Sequence, residues 1–390
     1  MSRVLLVCPE PLGHGHPAGV GIRFLEMQKA LAADGHQVTL LSAPIAAESL
    51  QSAEADVAVV QGHAANDFFA HARPMPTVVD LYDPFIIENL HYYESRGSEV
   101  FTHDHATLIN ALLRGDFFLC ASQSQRLFWL GMMLAVGRLN PMAFESDPDL
   151  DALIAIAPFG VPPPRERSRA SGPRVLFGGI YDWYDPIAAI DAIALARQAL
   201  PDISLTFTRH PNPSVTPQGK TAAAMEHIKR RGFDAFIRFE PWFEYEGRAE
   251  FFDRFAIALL TFPQSLETQL SMRTRVYDYL WGGLPIVSSP APETDAILER
   301  YGCGMIVESN APRTIADTLL QAFAKQAAMR DAARRFVLEH QWPDALKPLL
   351  DFCRQPRADA NKEAFAARMQ IPERPASILE RLKRRIGGAS

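Results

Sequence analysis

Long apolar runs, metal-binding motifs and an excess of positive charge are all missing from this 390-residue sequence. No stretch of 18 apolar residues occurs, so no membrane-spanning helix is expected. The opening Met1-Ser2-Arg3, followed at once by VLLVCPE, is too short for a signal peptide and reads as a first strand. The four cysteines, Cys8, Cys120, Cys303 and Cys353, lie far apart and form no CxxC. A disulfide scaffold and a structural zinc site are therefore not expected. Cys8 and Cys120 end apolar runs and read as buried thiols. HExxH is absent, and no metal site is assigned. The 39 Lys and Arg against 45 Asp and Glu leave a net charge of -6, the wrong balance for a nucleic-acid binder. A cytoplasmic location is the expectation.

What is present is the material of two folded domains. Hydrophobic residues make up 48% and charged residues 22%, which suits a packed chain rather than a disordered one. A single core rarely grows past about 250–300 residues. The first half carries short apolar runs at Arg3–Cys8, VTLLSA from Val38, VAVV from Val57, TVVD from Thr77, FFLCAS from Phe117 and LIAIAP from Leu153. A helix is expected over Ile22–Ala33, stopped by Gly35. Continuous apolar runs separated by helices imply a parallel sheet covered on both faces. VPPPRERSRASGPR, from Val161 to Arg174, has no apolar period and reads as a linker. Strand signals restart with VLFGGI at Val175 and continue through ISLTFTR, AFIRFEP, FAIALLTF, LPIVSS and GMIVE. The expected division is 1–163 for the first domain, 164–174 for the linker, 175–350 for the second domain and 351–390 for a helical tail. From Cys353 onward nine Lys or Arg face four Asp or Glu. Ile378, Leu379, Leu382 and Ile386 share one side of a short helix, beside Lys383, Arg384 and Arg385. Such a helix either packs on a neighbouring domain or lies on an anionic bilayer.

Open α/β sheets bind ligands beyond the carboxyl ends of their strands, so three post-strand segments carry the candidate chemistry. The first holds Gly13, Gly15, Gly19 and Gly21, then Arg23. Glycines allow close backbone approach, and the following helix offers free N–H groups to an anion. It lacks GxGxxG and GKS/T, so a mere tight turn is the plain alternative, with His14 and His16 as loop histidines. The second, DLYDPFIIENL, holds Asp80, Asp83 and Glu88. These acids read either as a polar, helix-capping loop or as groups for hydroxyl recognition and proton handling. His103 and His105 follow as candidate acids or bases. The third runs from Ser265 to Pro290, SLETQLSMRTRVYDYLWGGLPIVSSP. Glu267 to Ser271 should lie at the cleft rim, with Arg273, Arg275 and Asp278 on the next helix. Arg273 and Arg275 point about 200° apart on a helix, whereas Arg275 and Asp278 share a face. The simplest division sends one arginine to phosphate and pairs the other with Asp278. A planar guanidinium suits a diphosphate because it donates two parallel bonds. Asp278 binding ribose hydroxyls, or an ordinary helix salt bridge, are the other readings.

DYLWGGLP, Asp278 to Pro285, resembles the E-A-hydrophobic-small-x-G-x-P segment of glycosyltransferase family 4. Asp278 stands at the family's glutamate, and Leu270 stands where another glutamate lies eight positions earlier; Glu267 is the nearest candidate. LSMRTRVYDYLWGGLPIV resembles a bacterial subgroup with an S-x-R-T-R-x-x-D helix. DLYDPF, FFLCASQSQRLFWLG, APFGVP and FGGIYDWYDP are similar to that subgroup too, so the matches spread from about residue 3 to residue 340.

The resemblance implies an α/β GT-B fold, with two facing Rossmann-like domains, parallel sheets and a C-terminal helical segment. It implies a metal-independent, retaining transferase of bacterial surface polysaccharide or glycolipid synthesis, with no prosthetic group. The donor would be a UDP-, GDP- or dTDP-linked sugar held by the second domain, and the glycan or lipid-linked acceptor would lie against the first. That work would be done in the cytoplasm, with peripheral contact to the inner face of an anionic membrane. By the same resemblance, Gly19 and Gly21 sit beneath the transferred sugar and diphosphate, with Arg23 adding charge. Gly178 and Gly179 line the donor, backed by Trp183 and Asp185, and Arg209 touches phosphate. Glu240, Trp242 and Phe243 border the base. Glu267, Ser271 and Asp278 complete the donor site. Arg273 and Arg275 stabilise the leaving diphosphate, which takes the acceptor's proton, and Asp83 orients the acceptor hydroxyl. A GT-B sugar-nucleotide epimerase or hydrolase, and a non-catalytic nucleotide-sugar-binding partner of another transferase, are the alternatives.

Overall fold

The computed structural model describes residues 1–13, 17–92, 97–166, 172–209 and 218–362. It contains two six-stranded, wholly parallel sheets. The first comprises β1 (Arg3–Cys8), β2 (Gln37–Ser42), β3 (Val57–Val60), β4 (Thr77–Asp80), β5 (Phe117–Cys120) and β6 (Ile154–Ile156). Its order is β2-β1-β3-β4-β5-β6. The second comprises β7 (Arg174–Gly179), β8 (Ser204–Thr208), β9 (Ile237–Glu240), β10 (Ile257–Leu260), β11 (Ile286–Ser288) and β12 (Gly304–Ile306), in the order β12-β11-β10-β7-β8-β9. The central strands read as continuous apolar runs because both of their faces are covered: every residue of β3, β4, β5 and β10 is buried. Parallel neighbours cannot be joined by a hairpin, so each connection carries its helix back over a face.

Both strand orders reverse once, between β1 and β3 in the first sheet and between β7 and β10 in the second. At such a reversal the loops on either side diverge and leave a crevice at the carboxyl ends. The segments after β1 and β3, and after β7 and β10, flank these reversals, and the segment after β4 lies one strand further along the first sheet.

The chain crosses between the sheets twice. Val161 pairs with Gln341 in an isolated parallel bridge, so the outgoing and returning crossings run side by side. Trp342, 4% exposed, packs edge-on to Phe159 with ring centroids 4.6 Å apart. The Lys347–Arg354 helix then lies on the first half. Phe352 stacks on Phe117 at 4.8 Å, the Ser2 hydroxyl donates to the Cys353 carbonyl at 2.7 Å, and Arg354 pairs with Asp34. The four cysteines are buried and unpaired. Among the described residues no helix is long and apolar enough to cross a membrane. Ile378, Leu379, Leu382, Ile386 and the adjoining basic residues lie outside the described residues, as do His14, Gly15 and His16.

Candidate functional site

A cavity of about 220 Å³ lies where the two switch points face each other. Ala18, Gly19, Val20, Tyr82, Asp83, Pro84 and Glu88 line it from the first half. Tyr181, Trp183, Tyr184, Glu267 and the run Ser271–Arg275 line it from the second.

The second half supplies an arginine end. After β10, the Ser265 hydroxyl caps the short Leu266–Leu270 helix by accepting from the Thr268 amide at 3.1 Å. The cap sets Glu267 inward, where it is 2% exposed. Glu267 accepts from the Ser271 hydroxyl and from Arg273 Nη2, the latter at 3.0 Å. Arg273 lies just ahead of the Thr274–Trp281 helix rather than on it. Its guanidinium covers the Phe262 ring at 3.9 Å and approaches Tyr184 at 5.3 Å. Arg275, in the first turn, donates from Nη1 to the Gly179 carbonyl at 2.5 Å and sits over Tyr181 and Tyr184, at 4.9 and 4.8 Å. Flat rings suit a planar, weakly hydrated cation. Arg273 Nε and Arg275 Nη2 are buried, and neither makes a hydrogen bond of acceptable geometry. A buried donor without an acceptor is costly, and both residues belong to the cavity wall.

The first half supplies an acid end. Strand β4 ends in Asp80, and the chain turns through Tyr82, Asp83 and Pro84 into the Phe85–Glu88 helix. Asp83 and Glu88 both line the cavity from the first half. Burial pushes the Asp83 carboxyl up to about 6, and Asp80 and Glu267 add to the rise. Burial likewise holds Glu88 well above the usual carboxylate range, reinforced by Asp83 and Glu267 and opposed by Arg273.

The glycines after β7 have a geometric task. Gly178 has φ +83°, and a side chain there would run into the Tyr279 hydroxyl, which donates to the Phe177 carbonyl at 3.0 Å. A Cβ on Gly179 would lie 2.8 Å from the Trp242 ring. Both positions let the Arg275 helix and Trp242 close over the end of β7.

Several expected site residues lie elsewhere. Gly19 and Gly21 are not loop residues: helix α1 (Gly19–Ala33) begins a turn earlier than expected and includes them. Gly19 faces the cavity, where its Cβ would lie 3.3 Å from the Tyr82 hydroxyl. The Gly21 amide already donates to Glu10 Oε2 at 2.7 Å, and the Ala18 amide to Glu10 Oε1. An internal carboxylate thus takes these two N–H groups that were expected to meet phosphate. Arg23 is wholly buried and is held by Asp80 and by the Ala157 and Pro158 carbonyls, so it is not available to a ligand. Asp278 does not pair with Arg275. It faces Arg248, with Nε to Oδ1 at 3.5 Å, and burial pushes its carboxyl up to about 6.

Arg209 is exposed beyond β8, its guanidinium 5.6 Å from the Phe239 ring centroid. Glu240 pairs with Arg254 at 2.7 Å. Trp242 stacks on Phe243 with centroids 5.5 Å apart. Asp185 caps the Pro186–Ala196 helix by accepting from the Ala188 amide. His103 stacks on His63 at 4.9 Å, and His105 lies near Phe101; neither lines the cavity. The cavity does bring together Gly19, Asp83, Glu267, Ser271, Arg273 and Arg275. The reading of the sequence missed Tyr82, Tyr181 and Tyr184, and left Glu88 without a role of its own. The aromatic density of FGGIYDWYDP was the available signal for the tyrosines, since Tyr181 and Trp183 stack at 4.9 Å.

No family model matches the sequence, and no curated protein is similar to it in sequence. Solved structures are similar in fold. WaaG, a glycosyltransferase involved in lipopolysaccharide biosynthesis, shares 13% identity at a TM-score of 0.60, over 90% of this chain and 100% of that one. HepE from Anabaena, crystallised with UDP and glucose, shares 14% at 0.62, over 91% and 99%. TarM from S. aureus, crystallised with UDP and α-GlcNAc-glycerol among its ligands, shares 11% at 0.55, over 77% of this chain; this chain spans 55% of its length. Likewise the chain spans 56% of pneumococcal GtfA, an O-GlcNAc transferase. At these identities the likeness concerns architecture: the two facing parallel sheets are those of the GT-B fold.

Proposed function

We propose that this chain moves a sugar from a nucleotide diphosphate sugar to a glycan or lipid-linked acceptor, with retention of anomeric configuration and without a metal ion. The observation that carries the reading is that Arg273 and Arg275 from the second half and Gly19 from the first line one cavity between the two sheets. Fixed donors aimed at a leaving diphosphate stabilise charge as it develops, at no cost of reorganisation. UDP in the HepE and TarM crystals favours a uridine-linked donor. The cavity is smaller than the roughly 300–1,000 Å³ of ordinary ligand pockets, so it suits the reacting sugar and its phosphates. The nucleoside extends past Gly179 toward Trp242. The acceptor enters from the Asp83 side, and Asp83 accepts a hydrogen bond from the attacking hydroxyl. The leaving phosphate takes the proton on the same face. Gly19 and Thr274 line the cavity from opposite halves, and closure of the halves there excludes water and limits donor hydrolysis. The name of WaaG and the basic excess after Cys353 favour a bacterial surface glycolipid or polysaccharide built at the inner face of the cytoplasmic membrane. A donor hydrolase is the second reading, favoured by Asp83 and Glu88 at the cavity wall, carboxyl groups of the kind that activate water.

Incubation with UDP-, GDP- and dTDP-sugars, with and without acceptor extract, separates these readings. Acceptor-dependent release of nucleoside diphosphate supports transfer, and release without acceptor supports hydrolysis. Arg275→Ala should weaken UDP binding by about tenfold or more, since a charged hydrogen bond contributes about 1.5–3 kcal/mol. Calorimetric titration of folded variant checks this, and unchanged affinity sinks the phosphate role.

A further inference from the structure

We propose that Gln125 is a positioning residue for sugar transfer: its side-chain amide, joined to Leu270, ties the two halves at one separation and so sets the distance across the cavity. The inference rests on the transferase reading for the word transfer and deepens it.

Gln125 lies in FFLCASQSQRLFWLG, after β5, and does not itself line the cavity. The Ser122 hydroxyl starts the Gln123–Ala135 helix by accepting from the Gln125 backbone amide at 3.2 Å. That places Gln125 in the first turn, where it is wholly buried. Its Oε1 accepts from the Ala121 amide at 2.8 Å. Its Nε2 carries two hydrogens, and each goes to a different half. One reaches the Tyr82 carbonyl and the other the Leu270 carbonyl, both at 3.0 Å. Tyr82 leads into Asp83 at the acid end, and Leu270 leads into Ser271 and Arg273 at the arginine end. Tyr82 lies past the end of β4, and Leu270 ends a short helix, whose last carbonyls have no partner within it. One planar amide therefore satisfies both chain ends and spans the two walls that meet around a donor.

Two further observations point the same way. The Leu270 side chain, 7% exposed, belongs to the second half yet packs in the first half's apolar cluster; among the described residues every other member of that cluster lies between Leu5 and Ile154. The adjacent Ser124 hydroxyl donates to Glu293 of the second half at 2.9 Å. The first-half end of the tie is stiff, because Trp129, one turn further on, donates from Nε1 to the Leu81 carbonyl at 3.1 Å. Halves joined only by chain crossings can rotate about them. A buried tie at a second place removes that freedom, and a misplacement of about 1 Å can cost about a hundredfold in rate.

The test uses the full chain. The four native cysteines are buried, so Gln51→Cys and Glu226→Cys, at exposed positions in opposite halves, take spin labels that report the separation of the halves. The otherwise unaltered chain should give one narrow distance. Gln125→Met, similar in size but without donors, and Leu270→Ala should each add longer distances. Both should lower acceptor-dependent turnover of the sugar nucleotide about tenfold or more, while UDP affinity stays within about threefold, because Arg273 and Arg275 belong to one half. Ser124→Ala trims only a half-buried hydroxyl; it should shift the distances the same way to a smaller extent, and it carries the test where a core variant fails to fold. The inference is overturned if every folded variant keeps the original distances, or if turnover is unchanged or falls only as far as UDP affinity does. A wild-type chain that turns over no donor loses the transferase reading, and the distances alone then decide whether Gln125 ties the halves.

Discussion

Two buried arginine–carboxylate pairs sit at the heart of this molecule, and they differ in what they leave undone. Arg23 and Asp80 have side chains at 0% and 0% exposure; Arg273 and Glu267 are at 3% and 1%. Arg23 reaches Asp80 with Nε at 2.7 Å and with Nη2 at 3.1 Å, and the Ala157 and Pro158 carbonyls accept from it at 2.9 Å each. Its guanidinium is surrounded by acceptors from its own chain. Arg273 gives Nη2 to Glu267, lies on Phe262, and keeps Nε unpaired. Burial is common to both. What distinguishes the second pair is its place at the cavity wall, with one donor left unpaired.

The largest effect that tests this contrast belongs to Arg23. Arg23→Met strands Asp80 as a buried charge and should cost about 3–5 kcal/mol in urea unfolding, while the folded fraction keeps its UDP affinity. Loss of UDP binding at unchanged stability would break the contrast. Arg273→Met likewise strands Glu267 and should cost a comparable amount, about 3–5 kcal/mol, but should also weaken UDP binding by about tenfold in calorimetric titration; a purely structural Arg273 would leave UDP affinity alone.

The smallest effect is a pH dependence at the acid end. The Asp83 carboxyl is pushed from 3.8 up to about 6, chiefly by burial. A raised acid holds its proton more tightly in the folded chain than in the unfolded one. Stability from this group is therefore greatest below about pH 4, falls as pH rises toward about 6, and is level above that. Asp83→Asn removes the slope, so variant and wild type should diverge between pH 4 and 6 in denaturant titrations, with the variant gaining. Parallel curves would overturn the raised titration of Asp83.

The strands and their parallel arrangement were legible because residues covered on both faces must be apolar at every position, as in VAVV and FFLC. The start of α1 was not legible. Gly19 and Gly21 look like loop residues, and the carboxylate that satisfies the first turn comes from Glu10, across the intervening loop. Arg23 beside glycines looked like a phosphate contact, yet its partner Asp80 lies 57 positions away at the end of β4. The three-residue spacing of Arg275 and Asp278 suggested a helix salt bridge. Gly179, 96 positions earlier, claims Arg275 instead, and Arg248 faces Asp278. Local spacing yields to acceptors that the sheet ends bring close, because a buried guanidinium takes the best oxygen in reach.

By itself, then, the order of residues determined the kinds of elements and the two parallel sheets, and it offered the segments after β1, β4 and β10 as candidate places for chemistry. These follow from burial, which each strand records in its own composition. Only the tertiary structure decided which arginine is saturated and which lines the cavity, and which acids meet there. Those outcomes depend on carbonyls and carboxylates from distant strand ends, whose meeting is a property of the packed sheets and of no single stretch of chain.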